Sequence, residues 1–315
     1  MSDEEKKSLR FGHEAMHTLF TLFIANEPET ADYASSAAQA AFDALDRIES
    51  FLSRFEPSSD ISKVNALEKG ASYSLGEEAW DCLMVAAQVA AETGRAFDPA
   101  AGALVDFWKS KAGFPPFAWE ETDEWKAAWE QHRIGEFALD PESRELLCVA
   151  PGSKLDLGAI GKGFALDEMA KVLECDWGIS RALLSAGGST VLALDAPPDK
   201  PGWKIGFGGE TRLPLAVLVR RALSSSGTHN QPTHLVDPRT GRLVVRKDLV
   251  RSLAPTGAVA DALSTAFFVM SREELDACCT AHPEYIALLT KGDDVPDAFE
   301  IIGQHDALPW EQRTL

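Results

Sequence analysis

The most informative segment of the chain is Lys154-Leu-Asp-Leu-Gly-Ala-Ile-Gly-Lys-Gly-Phe-Ala-Leu-Asp167. It places Asp156, three glycines and Lys162 between an apolar run and a predicted helix. Glycine lets a ligand approach the backbone closely, and a helix N-terminus presents unpaired N–H groups to an anion. The segment therefore indicates a phosphate-binding turn, although its spacing matches neither the P-loop nor the dinucleotide GxGxxG pattern.

A second segment, Asp261-Ala-Leu-Ser-Thr265, lies about a hundred residues later on a helix predicted over 258–270. Residues four apart share a helix face, so Asp261 and Thr265 point the same way. A carboxylate, a hydroxyl and a backbone carbonyl form an oxygen-only set that suits Mg²⁺. Alternatively, Asp261 is a charge near the helix start and Thr265 a packed side chain, and this segment alone leaves both interpretations open.

Composition narrows the possible classes of protein. The 315 residues are 45% hydrophobic and 25% charged, as in an ordinary globular protein of one large domain or two closely joined ones. A net charge of −19 argues against a nucleic-acid partner and against binding to an anionic membrane surface. A local basic site for one anionic ligand remains compatible with this charge.

Features of the N-terminus and the cysteines predict a cytoplasmic protein. The five cysteines are odd in number and lack CxxC spacing, which favours reduced thiols. The N-terminal sequence MSDEEKKSLR lacks the apolar region of a signal peptide, and no apolar run reaches membrane-spanning length. A trimmed form of an exported protein would look the same.

The order of predicted elements favours an α+β fold. Apolar spacing predicts helices over 31–55, 77–93 and 258–270, together with a short helix within 114–130. Strands are predicted over 16–24, on both sides of the turn Gly187-Gly188, over 203–207 and 213–219, and before the turn at 238–241. These elements show no steady βαβ alternation, which argues against a doubly wound sheet.

Other candidate residues have simpler explanations. His234, three residues before Asp237, could act as a general base, although a lone histidine in a strand is more often packed or exposed. Residues 224–227 read Ser-Ser-Ser-Gly without the flanking pattern of a nucleophile elbow. Phe55 and Phe97 fit a hydrophobic core, and Asp98-Pro99 fits a turn.

Taken in order, these segments resemble the ApbE family, the FAD:protein FMN transferases. The resemblance covers roughly residues 11 to 275 and includes eight motifs in the same order. They are Met16-His-Thr18, Leu52 to Asn65 (LSRFEPSSDISKVN), Phe97-Asp-Pro99, Leu155 to Gly163, Ser185-Ala-Gly-Gly188, Ser225-Ser-Gly227, His234 to Gly241 (HLVDPRTG) and Ala260 to Thr265 (ADALST).

The resemblance implies an α+β fold related to the T-fold, with mixed sheets, packed helices and an FAD site in the central cleft. A polar tail over 1–10 would precede one flavin transferase domain over 11–315. The implied reaction moves FMN from FAD to a Ser or Thr hydroxyl of a target redox protein and releases AMP. Mg²⁺ is the implied metal, and a soluble flavin reductase subunit would be a reasonable acceptor.

Residue roles follow from the same resemblance. The metal would be held by Asp261, Thr265 and the backbone carbonyl of Ala159. His234, or a nearby carboxylate, would accept the proton of the acceptor hydroxyl. Contacts with FAD would come from Met16, Phe55, Ala96, Phe97, Asp98, Asp156, Lys162, Leu235 and Ser264.

Four positions depart from the family pattern. His17 stands where the family has glycine, and Phe55 replaces a common tyrosine but keeps the stacking face. Ser225 replaces a threonine, and residues 228–233 replace a tyrosine-bearing stretch. The last change affects the acceptor side of the site more than FAD or Mg²⁺ binding. An FAD pyrophosphatase, which releases free FMN, and a non-catalytic FAD carrier are the alternative functions.

Overall fold

The computed structural model describes residues 8–25, 31–111, 118–134, 137–150, 152, 154–206, 215–227, 235–244, 249–290, 299–304 and 310–311. Eight α-helices lie within these ranges. They are α1 (Ala31–Leu52), α2 (Asp60–Asn65), α3 (Glu77–Glu92), α4 (Gly102–Ser110), α5 (Asp123–Ile134), α6 (Gly161–Lys171), α7 (Gly257–Val269) and α8 (Arg272–Ala281).

Strands in the described residues form one large sheet and three small ones. The first ten are β1 (Ser8–Ala15), β2 (Thr18–Ala25), β3 (Ser72–Ser74), β4 (Phe137–Asp140), β5 (Glu145–Cys148), β6 (Ala182–Ala186), β7 (Thr190–Ala193), β8 (Trp203–Ile205), β9 (Leu215–Leu218) and β10 (Arg221–Ser226). The others are β11 (Val236–Asp237), β12 (Arg242–Leu243), β13 (Leu249–Ala254), β14 (Ile286–Thr290), β15 (Phe299–Ile302) and β16 (Trp310–Glu311).

The large sheet has eight strands in the order β1-β2-β6-β7-β10-β13-β14-β15, and each neighbouring pair is antiparallel. The small sheets are β16-β9-β8, β3-β5-β4 and the hairpin β11-β12, which are also antiparallel. Helices and antiparallel sheets together confirm the α+β class.

The first hairpin corrects one sequence prediction. Residues 16–24 were expected to form one strand, whereas Met16 and His17 form the turn between β1 and β2. Strand β1 was not predicted because its alternating polar residues suit the exposed edge of a sheet. It begins at Ser8, so Ser8, Leu9 and Arg10 of the expected tail pair with β2.

The main core lies between one face of the large sheet and a helical layer. Helix α1 buries a stripe at helical spacing that includes Ala41, Leu45 and Ile48, and the predicted helix over 31–55 is confirmed. Helix α7 is buried on nearly all sides, packing against α6, β10 and β13. On the other face, Trp203 and Leu218 of the small β8-β9 ladder cover Leu253 and Leu288.

A tryptophan cluster fixes the β11-β12 hairpin beside α4 and α5. The indole N–H groups of Trp108 and Trp125 both donate to the carbonyl oxygen of Gly241, each at 2.9 Å. Gly241 has φ of 73°, and a Cβ there would meet Trp129 at 2.7 Å. Only glycine therefore fits this turn, and at the base of the hairpin the Leu235 carbonyl accepts the Val244 N–H at 2.9 Å.

Helix α4, which contains Trp108, was not predicted from the sequence. Among the helices of the described ranges, none combines the length and apolar character needed to cross a membrane.

Candidate active site

A cavity of about 390 Å³ opens where α4, α6, α7 and the end of β10 meet. A second cavity of about 170 Å³ lies against the β1-β2 turn and the end of α1. Asp156, Gly158 and Lys162 line both cavities. The two cavities therefore adjoin along the start of α6 and the segment before it, and together they are called the cleft below.

The cleft brings together most of the predicted site residues. Eleven line it, namely Met16 and Phe55 in the smaller cavity, Asp156 and Lys162 in both, and Ala96, Phe97, Asp98, Ala159, Leu235, Asp261 and Thr265 in the larger one. Ser264 lies directly behind the cleft wall and is 1% exposed. His234 lies outside the described residues.

Asp261 is the buried carboxylate of the larger cavity, with 5% of its surface exposed. Its Oδ1 accepts hydrogen bonds from the hydroxyls of Thr190 and Ser224, both at 3.2 Å. Its Oδ2 accepts the backbone N–H of Gly163 at 3.1 Å, at the start of α6. These three neutral donors orient the carboxylate, and a helix N-terminus favours its negative charge.

Lys162 reaches the same carboxylate from the first turn of α6. Its Nζ lies 3.6 Å from Asp261 Oδ2 and donates to the carbonyl oxygen of Gly158 at 3.3 Å. The side chain is 25% exposed, so the ammonium group remains accessible from the cleft.

Hydroxyl groups line the wall beside Asp261. Thr265 Oγ1 lies 3.4 Å from Ser226 Oγ, which in turn lies 2.8 Å from Ser264 Oγ. Ser264 also donates to the backbone carbonyl of Asp261, as expected one turn along a helix. Ser264 therefore contacts Ser226 and the Asp261 backbone from behind and does not line the cleft itself.

The glycines of the central segment donate their N–H groups to partners within the chain. Gly163 gives its N–H to Asp261, and Gly161 gives its N–H to the carbonyl of Leu157. A Cβ on Gly163 would lie 2.0 Å from the carbonyl oxygen of Gly257. The anion at this helix terminus is thus a carboxylate of the chain itself, and Gly163 is needed for helix crossing.

Asp156 sits in the middle of the cleft beside a guanidinium that the sequence analysis missed. Arg54 Nε lies 3.4 Å from Asp156 Oδ2, and the Arg54 side chain is 7% exposed. The same guanidinium donates to Asp106 and lies 5.0 Å from the centroid of the Phe55 ring. Arg54 therefore links the carboxylate at the cleft centre to the aromatic ring at its edge.

Asp106 anchors the far side of this guanidinium. Burial raises its pKa, but hydrogen bonds from Lys154 and Arg54 and their charges outweigh burial and hold it below its ordinary value. A charge on Asp106 keeps Arg54 in place. The only sequence signal for Arg54 was its place within the motif over 52–65. Arginine side chains are mostly exposed in proteins, so this position alone did not indicate a buried guanidinium.

The β1-β2 turn forms the end wall of the smaller cavity. Met16 and His17 have φ of 48° and 58°, both in the left-handed region. A two-residue hairpin turn of this type favours glycine or asparagine, so His17 occupies a position that suits the family glycine. Phe55 opposite is 71% exposed, which contradicts its assignment to a hydrophobic core and suits a stacking surface.

Asp98 lines the larger cavity and also builds its own turn. It accepts the backbone N–H of Ala100 at 2.9 Å, as an aspartate that initiates a turn does. Arg95 donates to Asp98 Oδ2 at 2.6 Å, and His132 Nε2 lies 3.7 Å from the same oxygen. The position of Asp98 is therefore compatible both with a turn initiator and with a contact to FAD.

Asp167 connects the two helices that carry the site. Its oxygens accept the N–H groups of Gly257 and Ala258 at 2.6 and 2.8 Å, at the start of α7. Burial raises the pKa of this carboxyl to about 7, although the two N–H donors act in the opposite direction. Asp167, four residues after the DLGAIGKG motif, thus joins the helix that follows this motif to the start of the helix that carries ADALST.

The donor atoms around Asp261 fit a hard divalent cation. Asp261 and Thr265 supply a carboxylate and a hydroxyl on one face of α7, and Ala159 lines the same cavity. Within the described ranges, no group of three His, Cys, Asp or Glu side chains is placed to hold a metal ion, so a cation here would depend on one carboxylate and on hydroxyl and carbonyl oxygens. A site with one carboxylate and otherwise neutral oxygens suits Mg²⁺.

A comparison with protein-family models gives the assignment. The model described as the ApbE family matches residues 16–289. The chain belongs to the ApbE family. The predicted resemblance is therefore confirmed over most of the sequence, from the β1-β2 turn to β14.

Relatives in the ApbE family are named as enzymes that transfer FMN. A protein from Klebsiella pneumoniae named FAD:protein FMN transferase is 26% identical over 260 residues, covering 78% of this chain and 73% of that protein. A Treponema pallidum protein of the same name is 29% identical over 282 residues, covering 80% and 76%. This ApbE chain is therefore a member of a family of flavin transferases.

Solved ApbE structures share the fold. The flavin transferase ApbE from Vibrio cholerae superimposes with a TM-score of 0.77 at 22% identity, covering 93% of this chain and 96% of that one. The ApbE protein of Thermotoga maritima gives a TM-score of 0.80 at 22% identity, covering 98% and 100%. At this identity the comparison establishes the fold, whereas the residue roles rest on the cleft geometry and the motifs.

Proposed function

We propose that this protein is a Mg²⁺-dependent FAD:protein FMN transferase that attaches FMN to a Ser or Thr hydroxyl of a target redox protein and releases AMP. One observation carries the proposal. Asp156 and Lys162 from one motif, and Asp261 and Thr265 from another, line a single cavity in a chain of the ApbE family.

The metal would be held by Asp261, Thr265 and the carbonyl of Ala159. When bound, Mg²⁺ neutralises charge on the diphosphate oxygens and on the departing AMP. The hydroxyls of Thr190 and Ser224 keep the Asp261 carboxylate oriented, because both donate to its Oδ1. Their role is to limit the rearrangement needed when ligands bind.

FAD would lie along the joined cavities. Phe55 and Met16 offer an aromatic face and a thioether at one end, and Phe97 forms part of the wall at the other. Arg54 and Lys162 supply positive charge near the middle, which suits a diphosphate in a chain of net charge −19.

The transfer step forms one phosphoester bond and breaks one diphosphate bond. The acceptor hydroxyl oxygen bonds to the phosphorus of the FMN part, and the bond from that phosphorus to the AMP oxygen breaks. His234, which directly precedes the cavity residue Leu235, is the proposed acceptor of the hydroxyl proton. Exclusion of water by the acceptor polypeptide would separate transfer from hydrolysis of FAD.

Chromatography of the nucleotide products tests the proposal. The protein is incubated with FAD and Mg²⁺, with and without Thr-bearing acceptor polypeptides, and AMP, FMN and peptide-bound flavin are quantified. AMP release with a matching gain of one FMN on the acceptor supports transferase activity. AMP with free FMN in every reaction points to a pyrophosphatase, and tight FAD binding without AMP points to a carrier.

Two variants connect the chemistry to the proposed metal site. Asp261→Asn removes the charge and Thr265→Val removes the hydroxyl with little change in shape, and we expect both to lower AMP release at least tenfold. Thr280→Val makes the same threonine change on α8, away from the cleft, and controls for general effects on folding. Equal loss in Thr265→Val and Thr280→Val would contradict the assignment of Thr265.

A further inference from the structure

Lys162 occupies a position that a cation ligand would need. Its ammonium group lies between a carboxylate oxygen of Asp261 at 3.6 Å and the carbonyl oxygen of Gly158 at 3.3 Å. A carboxylate and a backbone carbonyl are the oxygen types that bind a hard divalent cation. The Lys162 ammonium group thus contacts two of the oxygens that a bound cation would use, and it supplies a positive charge there.

Asp261 requires such a countercharge when no metal is bound. Its side chain is 6% exposed, and its other hydrogen-bond donors are one N–H group and two hydroxyls, which are neutral. Burial of a carboxylate without an opposite charge is costly, because the group loses its hydration. Among the described residues, this carboxylate forms an ion pair with Lys162.

Lys162 also faces the space that an anionic ligand would fill. It lines both cavities of the cleft, and its side chain remains one quarter exposed. A small rotation of its four-carbon side chain could exchange the protein oxygens for a ligand oxygen. A cation that arrives at Asp261 would repel the ammonium toward that space.

We propose that Lys162 is a tethered counter-ion, which holds Asp261 before a divalent cation binds and is transferred to the anionic ligand when the cation replaces it. This inference rests on the proposed function, because it takes Asp261 as a cation ligand. The exchange couples the two ligands, so a divalent cation and a diphosphate each strengthen the binding of the other. By linkage the coupling factor is the same in both directions.

Two direct binding measurements isolate the exchange. Free Mn²⁺ is titrated by electron paramagnetic resonance in the absence of nucleotide, and again with ADP as an unreactive diphosphate, after the binding of Mn²⁺ to ADP in protein-free solution has been measured and subtracted. Lys162→Met removes the ammonium while keeping an unbranched side chain of similar length. We expect the variant to bind Mn²⁺ alone about three- to tenfold more tightly than the parent, and its coupling with ADP to fall by a similar factor.

Lys109→Met is the matched control. Lys109 also lines the larger cavity, from α4, and has no recorded bond to Asp261 or Gly158. Loss of either lysine removes one positive charge from the cavity, so a purely long-range effect would tighten Mn²⁺ binding to a similar extent in both variants. A selective effect of Lys162→Met supports the exchange, and equal effects would overturn it.

Asp261→Asn separates failure of this inference from failure of the proposed metal site. Mn²⁺ binding that is lost in Asp261→Asn but unchanged in Lys162→Met would overturn the counter-ion role and leave the metal site intact. Mn²⁺ binding that does not respond to Asp261→Asn would overturn both. Lys162→Gln, checked by circular dichroism, repeats the measurement if the methionine variant does not fold.

Discussion

Gly163 and Gly257 meet backbone to backbone where α6 crosses α7. A Cβ built on Gly163 would lie 2.0 Å from the Gly257 carbonyl oxygen, and one built on Gly257 would lie 2.4 Å from the Gly163 carbonyl oxygen. Neither contact can be relieved by a side-chain rotation, because both partners are backbone. The close crossing brings the Gly163 N–H to Asp261, so the two motifs of the site depend on it.

Gly163→Ala should therefore separate the two helices and destabilise the protein. We expect the free energy of unfolding to fall by at least about 3 kcal/mol, which is the upper range for overpacking in a core. Urea unfolding measures the change. Gly188→Ala is the control, since a Cβ there meets no atom within 4 Å, and we expect it to stay within about 0.5 kcal/mol. Equal unfolding midpoints for the two variants would contradict this account.

Local patterns predicted the helices better than the strands. Helices α1 and α3 follow apolar spacing and end within three residues of the predicted limits. Strand β1 was not predicted because exposed and half-buried side chains alternate along it at the edge of the sheet. Polar residues are tolerated at such an edge, so the segment lacks a strong apolar pattern. The role of Gly163 could not be predicted either, because its contact, Gly257, lies 94 residues away and leaves no local pattern.

The order of the motifs predicted which residues line the cleft. It did not predict the side chains that contact these residues from distant parts of the sequence. Asp156, Lys162, Asp261 and Thr265 are in the cleft as expected. The hydroxyls that orient Asp261 come from two strands, and small polar residues on strands carry no specific signal. Arg54 was missed for a similar reason, since only the fold shows that its guanidinium is buried.

His17→Gly should stabilise the β1-β2 turn and enlarge the smaller cavity. A left-handed non-glycine residue costs roughly 1–3 kcal/mol, and the added freedom of glycine in the unfolded chain offsets about 0.4–1 kcal/mol. We expect a net gain of about 1 kcal/mol in thermal or urea unfolding. Asp199→Gly is the control, because Asp199 has φ of 61° and does not line the cleft.

The His17 and Asp199 variants should differ in ligand binding. Both should gain stability, whereas only His17→Gly should change the affinity for FAD, measured by quenching of flavin fluorescence. A loss of stability in His17→Gly would show that the imidazole makes contacts that outweigh the backbone strain.

Asp167→Asn should change the pH dependence of stability. The folded-state pKa of Asp167 is raised to about 7, so folding favours its protonated form. Its stabilising contribution is therefore present below about pH 4 and is lost as the pH rises through about 7. The free energy of unfolding of the parent, relative to Asp167→Asn, should fall over this interval.

Urea unfolding at pH 4.5, 6.0 and 7.5 measures the Asp167 effect. Asp123→Asn removes an exposed carboxylate from α5 and controls for the loss of one negative charge. A relative stability that rises with pH would show that the N–H groups of Gly257 and Ala258 outweigh burial.

Trp108 and Trp125 should be partly redundant, because both donate to the carbonyl oxygen of Gly241. Each single change to phenylalanine leaves one donor, whereas the double change leaves none. We expect the double variant to lose about 1 kcal/mol more stability than the sum of the singles.

Trp203→Phe is the comparison for this double-mutant cycle. Trp203 donates to the carbonyl of Asp195 at 3.0 Å in a different core cluster. Its effect should add to that of Trp125→Phe within about 0.5 kcal/mol. Additivity in the Trp108 and Trp125 pair as well would contradict the expected redundancy of the two indole donors.

Arg54→Met should weaken flavin binding by releasing two parts of the cleft at once. The guanidinium faces Asp156 at 3.4 Å and lies under the exposed Phe55 ring, so its loss frees both side chains. We expect the affinity for FAD to fall about tenfold, equivalent to about 1.4 kcal/mol. Arg54→Lys keeps the charge but not the planar group, and we expect it to recover only part of the affinity.

Arg47→Met is the matched control, because Arg47 pairs with Glu78 on the surface and lies outside the cleft. Binding is measured by quenching of flavin fluorescence, with circular dichroism to confirm folding. If Arg54→Met binds FAD like the parent while Phe55→Ala binds it weakly, the ring acts without support from the guanidinium. If both variants lose affinity and the double variant loses no more than either one, Arg54 acts through the position of Phe55.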